Sequence, residues 1–188
     1  MYANTQNKKG LTIRDLVTIG VFFAPNPVLT FYMPVGNALL CGPVYLLMMA
    51  KVKKRFAASI LGAVLCVVWF VTGMHRAMAL GYLVMGVAAD LTASAGKYQS
   101  RKLNSLSYIL LSLGGTASYL VFFATPDSWA KTMLGNGTEQ SYIDTMRAAG
   151  TSWILIIMLA GTVAAAAVSA LIGCKMLKKQ FEKAGITA

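Results

Sequence analysis

Acidic residues are what this chain has least of: six Asp and Glu stand against seventeen Lys and Arg in 188 residues. No two carboxylates share an apolar run, so the paired acids of general acid–base chemistry inside a membrane bundle are missing. The sequence has one histidine, His75, with no second ligand type beside it, and it lacks HExxH and GxxxxGK[ST] motifs. Cys41, Cys66 and Cys174 lie in or at the end of apolar runs without CxxC spacing, and so read as small hydrophobes. These gaps argue against an enzyme, a metal site and a cofactor; ATP hydrolysis, if any, would belong to separate partner subunits. A continuous basic face is also missing. The net charge of +11 is split into short clusters between apolar runs, which excludes nucleic acid as a partner.

What is abundant is apolar surface, 57% of residues against 12% charged, the composition of a protein whose solvent is the lipid bilayer. The cluster Lys51-Val52-Lys53-Lys54-Arg55 cannot lie in hydrocarbon. The Lys/Arg bias of membrane proteins places it on the cytoplasmic side. Counting outward from it predicts an all-α integral membrane protein, a single membrane domain over 1–188. Its six spans are at about 11–33, 35–50, 56–72, 77–95, 103–124 and 153–174, with both termini cytoplasmic. Fourteen of the seventeen basic residues then fall inside, and only Arg76, Lys131 and Arg147 outside. The first run carries a break at Pro25-Asn26-Pro27, because Pro27 cannot donate to the carbonyl four residues back. Pro34-Val35-Gly36-Asn37 reads as the first outward turn. It leaves the second span only ~24 Å long, short of a hydrocarbon core of ~30 Å.

Residues 125–150 form the long outward loop. Thr125-Pro126-Asp127 marks one short helix in it, Gly135-Asn136-Gly137 its end, and Ser141-Tyr142-Ile143-Asp144 a capping box for a second. The outward side collects the candidate substrate-binding residues Asn26, Asn37, His75, Arg76, Trp129, Tyr142 and Arg147. Aromatic walls with a few orienting polar groups are the usual lining of a small-molecule pocket. Each also has a plainer reading: Asn26 satisfying carbonyls freed by the kink, His75 and Arg76 as an interfacial turn, Arg147 pairing with Asp144, and Trp129 and Tyr142 as interface anchors. Asp90, an acid at membrane depth, is either functional or the cap of a neighbouring helix end.

The stretches KKGLTIRDLVTIGVFFA, GPVYLLMMAKVKKR, TGMHRA and GVAADLTASAGKYQSRKLNSLSY give the chain a family resemblance from about Lys9 to Lys179. It resembles the S component, the substrate-binding subunit, of energy-coupling-factor (ECF) transporters, and within it the MptD family. The resemblance implies a six-helix bundle that holds a vitamin or similar micronutrient near its outer side, under a lid from the loop after the first helix. It implies docking on a transmembrane coupling subunit (T component) driven by two cytoplasmic ATPase subunits. The Ala-xxx-Ala motif that contacts the coupling subunit corresponds to Gly20 and Ala24, with glycine in the first place. Two alternatives stay open: a standalone secondary carrier, suggested by Asp90, and a non-transport scaffold or accessory protein.

Overall fold

The computed structural model describes residues 27–183, with side-chain surroundings given from 33 to 178. All regular elements among the described residues are helical. Helices α1 (Pro27–Val52), α2 (Ala57–Val71), α3 (Arg76–Ala95) and α4 (Arg101–Leu113) follow one another through short turns. A 3-10 turn at Gly114–Thr116 leads into α5 (Ala117–Ala124); α6 (Pro126–Gly135) and α7 (Gln140–Ala149) make up the long connection, and α8 is Ser152–Lys183. Among the described residues, four stretches are long and apolar enough to cross a bilayer: Met33–Val52, Arg76–Ala95, Arg101–Ala124 and Ser152–Lys178. The shorter α2, 15 residues and apolar throughout, rises ~22 Å.

The helix ends fall where the charge distribution demands. Lys51 to Arg55 separate α1 from α2, and Lys97, Arg101 and Lys102 lie where α3 gives way to α4. One expected boundary is wrong. No turn forms at Pro34-Val35-Gly36-Asn37, because α1 runs through it and carries both Pro34 and Pro43 in its interior. The physical reason is visible one turn later. Pro43 has no N–H for the Leu39 carbonyl, and the Ser169 hydroxyl of α8 donates to that carbonyl at 2.5 Å. The same Ser169 oxygen accepts from the Gly42 N–H at 3.1 Å, and the Tyr108 hydroxyl takes the Ala38 carbonyl at 2.6 Å. Helix α8 thus supplies the bond Pro43 removes, and α4 and α8 brace the backbone beside it, which is how membrane helices tolerate proline.

Helices α1 and α8 run parallel, Val35 against Gly161, Gly42 against Ser169 and Leu46 against Gly173. Helix α2 packs antiparallel on α3 around Gly62 and Gly86. Helix α3 packs on α4, where Ser107 donates to the Ala89 carbonyl at 2.7 Å, and α4 in turn meets α8. Around the bundle the order is therefore α2, α3, α4, α8, α1, with α4 also touching α1 from behind. Among the described residues the ring does not close on itself. Helices α1 and α2 barely meet, which leaves a cleft between them.

Large apolar side chains face outward along these helices, Val84 at 63% and Val71 at 77% exposed among them. A soluble protein would bury such residues; here they are the lipid-facing surface. A second, separate apolar cluster joins Tyr119 and Phe122 of α5, Trp129 and Met133 of α6, Ile143 and Met146 of α7 and Met158 of α8. It seats the long connection firmly on one end of the bundle.

Candidate functional site

The cleft between α1 and α2 encloses about 400 Å³, within the range of small-molecule pockets. Asn37, Cys41, Tyr45 and Met48 of α1 form one wall, Leu61, Leu65 and Trp69 of α2 the other. Tyr82 of α3 and Tyr108, Leu111 and Ser112 of α4 form the floor. The aromatic groups are held by one another and by polar ties across the bundle. Tyr45 shares a 2.5 Å hydrogen bond with Ser107, whose own proton goes to the Ala89 carbonyl, so the Tyr45 hydroxyl is the donor. Tyr45 and Tyr108 rings lie 5.3 Å apart, and Trp69 stacks at 6.4 Å and 12° over Tyr82. Trp69 Nε1 is buried and finds no acceptor among the described residues. A buried indole N–H normally has a partner, and the Tyr82 hydroxyl stands beside this one, short of a well-formed hydrogen bond.

Of the residues singled out from the sequence, Asn37 lines this cleft. Asn26, with Gly20 and Ala24, lies outside the described residues. The others do not converge on it. His75 is the N-cap of α3, its Nδ1 accepting from the Ala77 N–H at 3.1 Å. Arg76 beside it is exposed. Trp129 is buried in the second apolar cluster, edge-on to Phe122, with Nε1 donating to Ser118 at 3.1 Å. Tyr142 is half-buried against the same cluster. Arg147 pairs with Asp127 at 2.6 Å rather than with Asp144, which accepts from Gln140. At 42% and 93% side-chain exposure that pair adds well under ~1 kcal/mol. The capping box at Ser141 is also absent: Ser141 is inside α7, Glu139 occupies the N-cap, and the Ser141 hydroxyl donates to the Glu139 carboxylate. One expected meeting does occur. The Asn136 side chain donates to the Gly73 carbonyl at 2.9 Å, joining the long connection to the turn before His75.

Burial, and after it the Arg76 cation, lower the pKa of His75 below its ordinary 6.5. The neutral ring is the form that caps α3. With the folded value below the unfolded one, the unfolded chain takes up the proton first as pH falls. Stability is therefore full above about pH 6.5 and declines through and below it. Protonation removes a cap worth about 1 kcal/mol. The melting temperature should fall between about pH 7 and pH 5. His75→Asn, which keeps a capping oxygen but does not titrate, should abolish that part of the slope; an unchanged slope would show that His75 is not its source.

Asp90 proves to be a cap supplied from another helix. Phe56, the N-cap of α2, sits in the left-handed region at φ 68° and offers no side-chain acceptor. Asp90 of α3 accepts from the Phe56 N–H at 3.2 Å and from the Ala58 N–H at 3.1 Å, and from the Tyr98 hydroxyl at 3.0 Å. An anion at a helix N-terminus with two backbone donors is a favourable arrangement. Burial, then the bond to Asp90, raise the Tyr98 phenol above its ordinary value and keep it a donor.

The sequence gives little warning of the cleft. Trp69 reads as an interface anchor, and Tyr45, Tyr82 and Tyr108 stand on three different helices. The available signal is that a tyrosine in mid-span needs a hydrogen-bond partner inside the bundle.

Outward apolar faces, helices of spanning length and polar groups tied only to one another define an integral, multi-pass membrane protein. The chain belongs to the Trep_Strep family of hypothetical bacterial integral membrane proteins, whose family model matches residues 13–183. Neither the curated proteins nor the solved structures contain a match to it.

Proposed function

We propose that this protein is the substrate-binding membrane subunit of an ATP-driven importer of the energy-coupling-factor type, taking a vitamin or similar micronutrient. The observation that supports this reading best is the aromatic-walled cleft, with the buried indole of Trp69 on one wall. A flat, mostly apolar molecule carrying one acceptor for the indole N–H fits such walls. Gly20 and Ala24, outside the described residues, would contact the coupling subunit. Capture would precede reorientation of the bundle against that partner, with the ATP spent on two separate cytoplasmic subunits.

Native mass spectrometry of the protein purified from its own host is the test. A small molecule should co-purify, and Trp69→Phe, which keeps the ring and removes the N–H, should lower its occupancy by about tenfold, the weight of one buried hydrogen bond. An empty cleft in every preparation is the opposing result. That outcome would favour the second reading, a non-transport scaffold. The engagement of Trp129, His75 and Arg147 inside the protein supports that second reading as well. The standalone carrier rested on Asp90, which caps α2.

A further inference from the structure

At the basic end of the bundle, the turn between α1 and α2 faces the turn between α3 and α4 across a second cavity of about 500 Å³. Lys53, Arg55 and Lys97 line it together with Asp90. All four non-glycine residues of positive φ among the described residues, Lys53, Phe56, Lys97 and Tyr98, belong to these two turns. Asp90 ties the turns together by accepting from Phe56 on one and Tyr98 on the other. Its carboxylate holds three donors already, two of them backbone N–H groups, so it does not bind the three cations. The single ion pair among the described residues, Arg147 with Asp127, is elsewhere. Three cations thus surround a cavity with no ion-paired anion among the described residues.

The rim supplies the second half of the chemistry. Phe56 and Leu91 line the same cavity and are 64% and 66% exposed. Exposed apolar residues continue away from it along both helices, Ile60 and Val64 at four-residue steps on α2, Val87 and Val84 on α3. A soluble anion has no use for such a track, whereas a lipid carries acyl chains below its phosphate. The cavity also stands at the end of the spans, at headgroup depth. We propose that this cavity is a binding site for the phosphate headgroup of an anionic phospholipid, with Lys53, Arg55 and Lys97 on the phosphate and the chains laid along α2 and α3. The site is independent of what the cleft between α1 and α2 holds.

The test uses the full-length protein in micelles containing equal amounts of phosphatidylglycerol and phosphatidylcholine, with retained lipid read by native mass spectrometry. Wild type should retain phosphatidylglycerol preferentially. One cation near a lipid anion is worth about fivefold in affinity, so the triple variant Lys53→Gln, Arg55→Gln, Lys97→Gln should lose the preference by on the order of a hundredfold. Lys97→Gln alone, the milder change should the triple variant not fold, should lose about fivefold. The charge-preserving pair Lys53→Arg, Lys97→Arg should keep it. So should Arg101→Gln, Lys102→Gln, Lys175→Gln, three changes at the same end of the bundle outside the cavity. Equal retention of the two lipids by wild type, or an equal loss in the control triple, would overturn the proposal and leave the cations to diffuse surface charge or a protein partner. Displacement of phosphatidylglycerol by inorganic phosphate at matching concentration would overturn the lipid assignment in favour of a free anion.

Discussion

Replacing Asp90 by leucine is expected to remove about 3–5 kcal/mol of stability, a loss confined to unusual single substitutions. Three donors lose their acceptor at once: the N–H groups of Phe56 and Ala58, and the Tyr98 hydroxyl. A hydrogen bond to a charged acceptor contributes about 1.5–3 kcal/mol, but the Phe56 end is open enough for water to replace part of the loss. Asp90→Asn keeps one acceptor oxygen and should fall between leucine and wild type. Tyr98→Phe removes a single bond to that carboxylate and should cost about 1.5–3 kcal/mol. Because Asp90 touches both turns, the Asp90 and Tyr98 effects should be strongly non-additive in a double-mutant cycle. Denaturant or thermal unfolding in detergent reads all four variants. An ion-coupled carrier would behave in the opposite way, Asp90→Leu leaving the melting temperature alone while stopping gradient-driven uptake, and that pattern would defeat the capping account.

The same residue illustrates how much of this protein could be read from its sequence. A lone acid near a basic loop signals that something must satisfy it, and capping a neighbouring helix end was among the readings. Which end it caps depends on a contact spanning 32 residues, and no local pattern records that. Helix ends at the basic side were legible, since clusters such as Lys51 to Arg55 cannot enter hydrocarbon whatever the helices do. Pro34 misled for the reason Pro43 explains. A proline ends a helix in water, but in the bundle Ser169 takes over the freed Leu39 carbonyl from 130 residues away, and Tyr108 holds the neighbouring Ala38 carbonyl from 70. The short helices of the long connection were legible through Pro126 and Asp127, which sit at the start of α6, and through Asn136, which ends it. The site was much less so. Trp129 and Arg147 have the chemistry of a pocket, yet tertiary packing engages both elsewhere, while the cleft draws its tyrosines from helices far apart in the chain.

The second large effect is expected at Gly62. A Cβ there would stand 2.6 Å from the Tyr82 carbonyl oxygen and 2.8 Å from the Gly86 Cα, and one on Gly86 would lie 2.8 Å from the Gly62 Cα. These are backbone atoms of the facing helix, so no rotamer change relieves the clash; α2 and α3 must move apart. Without a hydrophobic drive between helices in lipid, close backbone approach is much of what holds such a pair together. Gly62→Ala should therefore cost about 1–3 kcal/mol, the range of core overpacking, and Gly62→Leu several times the alanine step. The consequence reaches the cleft, because α2 carries Leu61, Leu65 and Trp69, and Trp69 leans on Tyr82 across this same contact. Separation of the helices should shift the tryptophan emission to longer wavelength and lower the melting temperature together, and any ligand bound in the cleft should be lost with them. Gly86→Leu should reproduce the effect from the opposite side. Unchanged melting and emission in Gly62→Leu would mean that α2 does not pack on α3 through this glycine pair, and the wall of the cleft would have to be placed elsewhere.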